Sequence, residues 1–278
     1  MITVSDLYVY PIKSCAGTRL ESSIVTTTGL QNDRSLMLVG ADGRFLTQRE
    51  FPQLCQVKPQ IIGERRLRLT APGMTEIELQ WLTNGKPEPA TVWSDHVQVV
   101  KQSDEINEWF TEYLKSSVSL VAMHQDFHRS VDQVFAASNE DKVGFADGFS
   151  MLLISQASVA DLNQRLVAPV PMDRFRPNIV VTGCEAHAED QWRELTIGSL
   201  TMTGAKPCAR CAVVSTDQAT GERLKEPGAT LAEYRRFQNG IMFGMNLVHH
   251  ATGDLSVGDA VLVGSEHPAD WIDRADFC

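Results

Sequence analysis

The chain is expected to be mainly β with some α, and three observations point that way. Up to about residue 102 no segment shows a helical period; apolar residues sit in short β-branched or alternating runs. Gly, Pro-Gly, Asn-Gly and Asp-Gly punctuate those runs, the residues that turn a chain back on itself. Helical patterns occur only later, and each gives way to another β-branched run. Turns at this frequency in the first third argue against βαβ units there and for an antiparallel, twisted or barrel-like sheet.

Residues 2–10 alternate loosely and form the first expected strand, which Pro11 ends because it has no N–H for a ladder. The turn over 12–17 carries Lys13 and Ser14. Strands are expected over 22–28 and 35–39, with Gly29 and Asp33-Arg34 between them. Ala41-Asp-Gly-Arg44 is an Asp-Gly hairpin turn, and 45–49 returns from it. Further strands are expected over 56–62, 66–69, 76–82 and 89–93. Ser103 is placed as the N-cap of a helix over 104–114, which starts acidic and carries apolar residues at helical spacing. A strand over 119–123 follows. The polar, aperiodic stretch 125–142 is expected to be a long loop of the kind that often binds ligands, with Arg129 facing solvent.

Residues 149–154 form a buried strand, and Ser155 caps a helix over 156–166. Arg174-Phe-Arg176-Pro-Asn178 is expected to be extended, which would put both arginines and the amide on one edge. It leads into a strand over 178–181. Two strand pieces flank Gly198 between Trp192 and Thr203. A helix over 231–237, strands over 243–248 and 259–263, and a short polar tail from Ser265 complete the chain. Trp81, Trp93, Trp109 and Trp192 are expected in the core, with Trp271 in the tail. No repeat of solenoid or propeller length occurs.

A length of 278 residues suits one large or two ordinary domains, and 43% hydrophobic with 22% charged residues fits a globular protein with a sizeable core. A formal net charge of -10 argues against nucleic-acid polymers as partners. No run of 18 apolar residues occurs, so no membrane span is expected, and the first residues do not resemble a signal peptide. The six cysteines, Cys15, Cys55, Cys184, Cys208, Cys211 and Cys278, are not a disulfide framework in a chain this long; a cytoplasmic location with reduced thiols is expected.

Two groups of residues carry candidate chemistry. Lys13, Arg34, Arg49, Arg174, Arg176 and Arg210 sit at strand ends or turns, several beside Ser, Thr or Asn. Taken singly each arginine is an ordinary surface residue; together they can build one anion pocket. No P-loop or GxGxxG turn is present to hold the anion instead. The second group is Gly204-Ala-Lys-Pro-Cys-Ala-Arg-Cys211, where Lys206 and Arg210 favour thiolates at Cys208 and Cys211. Three uses compete. A redox dithiol wants a helix N-terminus, whereas the following Ala-Val-Val-Ser-Thr reads as strand. A structural zinc site wants four ligands, and only His187, His249 or His250 could join the single pair. A site with one thiolate ligand takes its other ligands from a cofactor and suits a metal that sulfur binds well. Spacing leaves all three open. Asp217-Gln-Ala-Thr-Gly221 is expected to be a structural turn, the histidines core or surface residues, and no GxSxG elbow exists.

The chain resembles the MOSC (molybdenum cofactor sulfurase C-terminal) proteins, in the branch of the mitochondrial amidoxime reducing component and its bacterial relatives. The resemblance rests on Tyr10-Pro-Ile-Lys-Ser-Cys15, Gly29-Leu-Gln-Asn-Asp-Arg34, Leu46-Thr-Gln-Arg49, Phe145-Ala-Asp147 and Leu153-Ile-Ser-Gln-Ala-Ser158. It continues in Arg174-Phe-Arg-Pro-Asn-Ile179, Lys206-Pro-Cys-Ala-Arg-Cys211, Thr220-Gly221, Phe243-Gly244 and Val257-Gly-Asp259, in order over nearly the whole chain. It implies an N-terminal β-barrel domain over 1–122, a MOSC β-barrel domain with peripheral helices over 123–264, and a tail over 265–278. It also implies molybdenum cofactor, a pyranopterin dithiolene, with Cys211 as the metal ligand. Arg210 and Lys206 would stand near the metal as catalytic neighbours, with Cys208 beside them. Lys13, Ser14, Arg34, Arg174, Arg176 and Asn178 match family positions that cradle the pterin and its phosphate, joined by Arg49, Ser155 and Ser158.

The activity this resemblance implies is reduction of small N-hydroxylated compounds, such as amidoximes, hydroxylamines and N-hydroxylated bases, a detoxification chemistry. Some bacterial relatives carry a plant-type ferredoxin domain; its C-x4-C-x2-C spacing does not occur here. Electrons would therefore come from a separate protein, a flavoprotein reductase, ferredoxin or cytochrome b5-like donor. A cofactor carrier or sulfur-transfer protein, or a non-catalytic pterin- or anion-binding module, are the alternatives.

Overall fold

Seven strands close into a barrel. Around it run Met151–Ser155, Ile179–Thr182, Ile2–Val9, Ala260–Glu266, Trp192–Ile197, Leu200–Ala209 and Gly240–His249, and the last pairs back onto the first. Every neighbour pair is antiparallel except Met151–Ser155 with Ile179–Thr182, whose connection carries the helix Gln156–Arg165. That crossover is what a parallel pair requires. Closure removes the sheet edges and encloses a core of Leu7, Val9, Leu153, Ile179, Leu195 and Leu247. In this computed structural model residues 1–131, 133–136, 141–237, 240–268 and 271–274 are described; Cys278 and part of the loop over 125–142 lie outside them.

The rest of the N-terminal half builds a second β unit. Leu36–Gly40, Val118–Met123, Asp95–Lys101 and Glu88–Val92 form a four-stranded antiparallel sheet, and Lys58–Gly63, Arg66–Thr70 and Ile77–Gln80 a three-stranded one. Helix Asp104–Leu114 packs Ile106, Trp109, Phe110 and Leu114 against Leu36, Leu67 and Leu120. Ser103 occupies the N-cap position, but its side chain makes no cap bond; Asp104 and Glu105 supply negative charge to the first turn instead. Asn107 ties the helix to the sheet by accepting from Leu120 N at 2.7 Å and donating to Gln102 O at 3.0 Å.

The two units interleave. Ile2–Val9 is a barrel strand between Ile179–Thr182 and Ala260–Glu266, and Ser22–Thr26 pairs with Gly253–Ser256. The first thirty residues thus complete the C-terminal barrel before the chain enters the second unit.

Several expectations need correcting. The strand Asp95–Lys101 was hidden by its polar first half, Asp95-His96, although it pairs fully with Glu88–Val92. After the Asp-Gly turn only Phe45 bridges back, to Val39, and Thr47–Glu50 turns away. The Arg174 stretch is not extended: Met172–Phe175 is a 3-10 turn. Nor is the segment after Cys211 a strand, since Ala212–Ser215 is another 3-10 turn. The expected helix over 231–237 is Gly228–Tyr234 followed by the short strand Arg236–Phe237.

Candidate functional site

Where the two β units meet, a cleft opens. Its N-terminal side is built by the loop of Lys13 and Ser14, by Arg34, by Thr47 to Arg49 and by Trp93. Its C-terminal side is built by 146–149, by Arg176 and Asn178, and by Cys208 to Cys211. The cleft collects five cationic side chains, Lys13, Arg34, Arg49, Arg176 and Arg210, against one carboxylate, Asp147, a local formal charge of +4 in a chain of net charge -10. Such a site focuses an attractive field on an anion.

The arginines are held from behind. Arg34 donates from Nη1 to Asp33 at 2.6 Å and to Asn178 Oδ1 at 3.0 Å, and from Nη2 to Arg176 O at 3.2 Å. Arg176 donates to Cys15 O at 2.7 Å. Both guanidinium carbons lie 4.2 Å from the centre of the buried Tyr10 ring, so one aromatic face system orients two cations. Asn178 also accepts from Leu152 N at 3.2 Å and donates to Tyr8 O at 3.1 Å. Its part is to place Arg34. Lys13 donates to Phe145 O at 2.7 Å and to Asp147 at 2.5 Å. Burial draws the Lys13 amine below its ordinary value, with Asp147 opposing. Desolvation works against ionising Asp147, but Lys13 and the Trp93 indole N–H, at 3.1 Å, outweigh it and hold the carboxyl well below the usual range.

Backbone strain concentrates here. Eight described non-glycine residues have left-handed φ, and four of them line the cleft: Ser14 at 70°, Arg34 at 42°, Trp93 at 55° and Arg176 at 55°. Residues in this region cost energy and cluster where a site dictates side-chain direction. Arg176 shows the effect. The left-handed turn after Met172–Phe175 sends it into the cleft, while Arg174 points away to Asp217 at 2.7 Å.

The two thiols differ. Strand Leu200–Ala209 carries register shifts at Gly204/Lys206 and Pro207/Ala209, irregularities of the kind that re-aim side chains at strand ends. Cys208, one residue before the end of this strand, is half-buried, and its sulfur accepts from Arg210 Nη1 at 3.1 Å. Arg210 Nη2 donates to Phe175 O at 2.6 Å. Cys211 is exposed in the cleft at the start of the Ala212–Ser215 turn. The described residues contain no group of three or more His, Cys, Asp or Glu placed to hold a metal, so a metal bound by Cys211 would need ligands from another molecule.

Nine of the thirteen candidates therefore meet in one cleft: Lys13, Ser14, Arg34, Arg49, Arg176, Asn178, Cys208, Arg210 and Cys211. Four lie outside it. Ser155 is fully buried, and its hydroxyl caps Gln156–Arg165 by accepting from Ser158 N at 3.0 Å. Ser158 is equally buried and donates to Glu189. Arg174 is buried on Asp217, whose other oxygen accepts from Ala219 and Thr220 N–H, the expected structural turn. Lys206 sits over Phe135, 4.7 Å from the ring centre.

Other residues join the site unexpectedly. Gln48, 1% exposed, donates to Ser14 O at 2.7 Å and to Gln218 at 3.1 Å, linking the two sides. Trp93 is 41% exposed at the rim rather than core, whereas Trp81, Trp109 and Trp192 are buried as expected. Arg129 is buried, not solvated: it pairs with Asp95 at 2.5 Å and donates to the carbonyls of Gly144, Ala146 and Asp147. It clamps the Asp147 loop to the hairpin that carries Trp93. Sequence offered only weak hints of these roles, Gln48 lying in the stretch 46–49 and Asp147 in 145–147.

Comparison with known proteins agrees with this architecture. Residues 1–117 match the MOSC N-terminal beta barrel domain and residues 140–262 the MOSC domain. The chain is 35% identical over 277 residues to mitochondrial amidoxime reducing component 2 of Bos taurus, covering 93% of this chain and 82% of that protein. It is 36% identical over 280 residues, with the same coverages, to its namesake of Rattus norvegicus. The molybdenum cofactor sulfurase of Oryza sativa is 33% identical over 266 residues, 88% of this chain but 32% of that protein, so the chain spans about a third of it. No helix among the described residues is long and apolar enough to cross a membrane. By both its domains and its full-length relatives, the chain belongs to the MOSC family, in the company of the amidoxime reducing components.

Proposed function

We propose that the cleft binds molybdenum cofactor and that the protein uses it to reduce small N-hydroxylated compounds, with electrons from a separate donor protein. The observation that carries this is an exposed thiol, Cys211, sharing a cleft with five cations and one carboxylate in an otherwise acidic chain. The residues fit the group: a sulfur ligand for a metal that binds sulfur well, and guanidinium forks for a phosphate. The relatives named amidoxime reducing components support the substrate class.

Bound there, the cofactor would supply a two-electron centre for cleaving the N–O bond. Overall, N–OH with two electrons and two protons gives N–H and water. Cys211 would be the protein's ligand to the metal. Arg34 and Arg176, fixed by Tyr10, Asp33 and Cys15 O, would hold the phosphate without rearranging, because their geometry is set before the ligand arrives. Lys13 would fix the Phe145–Asp147 loop that lines the cleft. Cys208, already bonded to Arg210, would orient that arginine beside the metal. A cytoplasmic setting, which keeps Cys211 reduced, belongs to the same proposal.

The test is metal and pterin content together with anaerobic turnover. Loaded, chemically reduced protein should convert benzamidoxime to benzamidine. Cys211→Ala should lose molybdenum while Cys208→Ala keeps it; the reverse pattern moves the ligand to Cys208. Loaded protein that makes no benzamidine defeats the reductase reading. The likeness to a cofactor sulfurase supports a second reading, a cofactor carrier or sulfur-transfer protein. It would be favoured if such inactive protein passed its cofactor to an empty molybdoenzyme.

A further inference from the structure

Trp93 breaks a local rule. It opens a two-residue loop, Trp93-Ser94, between the paired strands Glu88–Val92 and Asp95–Lys101, with Val92 opposite Asp95. Its φ is 55°, while Ser94 has no positive φ. In a two-residue hairpin loop, a first residue with positive φ is a position that favours Gly. A bulky aromatic there is a genuine outlier. The ring is not compensated by burial either, since 41% of the residue is exposed. Strain of this kind, kept at the rim of a ligand cleft, is where a functional role should be sought.

The ring is nevertheless held firmly. Its N–H donates to Asp147 Oδ1 at 3.1 Å, the buried Phe45 ring lies 5.1 Å away, and the Arg49 guanidinium carbon sits 4.5 Å from its centre. Behind it, Arg129 binds both Asp95 and the Asp147 carbonyl and so ties the hairpin to the cleft loop. Trp93 stands between the cationic cleft and a second groove lined by Arg44, Phe45, Glu50 and Ser94, and Thr47 and Arg49 line both. In that groove Arg44 and Glu50 pair at 3.6 Å and offset each other's charge, and the remaining cation, Arg49, lies against the indole. A flat, conjugated body suits a groove walled by an aromatic ring and a guanidinium, with its polar end directed into the cleft.

We propose that Trp93 is the substrate-recognition platform of this site, selecting N-hydroxylated compounds with a conjugated ring, such as aryl amidoximes and N-hydroxylated bases, over small aliphatic ones. The proposal rests on the reductase reading for the identity of the ligand. The substrate ring packs on the indole, sharing it with the Arg49 side chain, which is exposed and long enough to shift aside. The N–OH group then points toward the thiol side of the cleft.

Dissociation constants of benzamidoxime and acetamidoxime, which differ only in phenyl against methyl, test it. They are measured by calorimetry on cofactor-loaded, oxidised protein without reductant, so no turnover occurs. Wild type should prefer benzamidoxime. Trp93→Gly, which suits the backbone, should lower that preference by roughly tenfold, the upper end for one aromatic pair. Trp93→Phe should stay within about threefold of wild type, because it keeps a ring. The proposal is overturned if wild type shows no preference, if Trp93→Gly keeps the wild-type ratio, or if Trp93→Phe falls as far as Trp93→Gly. Absence of turnover with both compounds would defeat the reductase reading alone; the ratio of constants would still decide the role of Trp93.

Discussion

Arg129 carries more of the site than its position in a polar loop suggests. Only its surroundings reveal this: one carboxylate and three carbonyls converge on a side chain that is 6% exposed. Arg129→Met would keep the stem but leave those carbonyls without a donor. It is expected to cost about 3 kcal/mol, read from urea unfolding, and to lower cofactor content by loosening Asp147. Asp190 makes a second prediction at this scale. Burial lifts its carboxyl to about 6 against the pull of Arg235, with Glu189 raising it further and His187 lowering it. The folded chain then keeps a proton that the unfolded chain releases near the ordinary value of 3.8. This group's contribution to stability therefore falls as pH rises from about 4 to about 6 and is level outside that window. Asp190→Asn should flatten that part of the stability–pH curve; an unchanged slope would show that another group is responsible.

At the scale of elements, strands and helices were legible where a period ran long enough. Asp104–Leu114, Gln156–Arg165 and the strands around Gly198 follow from spacing alone. Short 3-10 turns did not, because four residues carry no period. Met172–Phe175 and Ala212–Ser215 are both of this kind, and they separate Arg174 from Arg176 and end the strand that carries Cys208. Ser155 was legible as a cap, and capping occupies it. Ser155→Ala should destabilise by about 1–2 kcal/mol in thermal or urea unfolding, the usual loss for an N-cap. Its metal and pterin content should follow wild type. A selective loss of cofactor in a stable protein would return Ser155 to the binding site.

For the whole molecule, barrel closure is the controlling fact. Ile2–Val9 fills the place between Ile179–Thr182 and Ala260–Glu266, so the C-terminal unit lacks a strand without the first residues of the chain. A fragment starting at residue 123 would expose two open edges and part of the core around Leu7 and Val9. It should show no cooperative unfolding transition, and a cooperative transition matching the full chain would refute the role given to the first strand. The same interleaving makes the cleft, because its two sides come from units brought together by that strand.

By itself the sequence determined the class of the fold and marked out cations and thiols as candidates for a site. Those depend on residue type and local spacing, which a chain displays openly. It could not say which arginines share a face, which of the two cysteines is exposed, or that a tryptophan and a buried arginine complete the rim. Those depend on left-handed turns at Ser14, Arg34, Trp93 and Arg176 and on contacts between residues more than a hundred positions apart, such as Arg34 with Asn178. Only closure of the barrel brings such residues within hydrogen-bond distance. The CxxC illustrates the division: spacing left its two thiols equivalent and only a resemblance set Cys211 apart, whereas a strand end, a bonded arginine and an open cleft distinguish them physically.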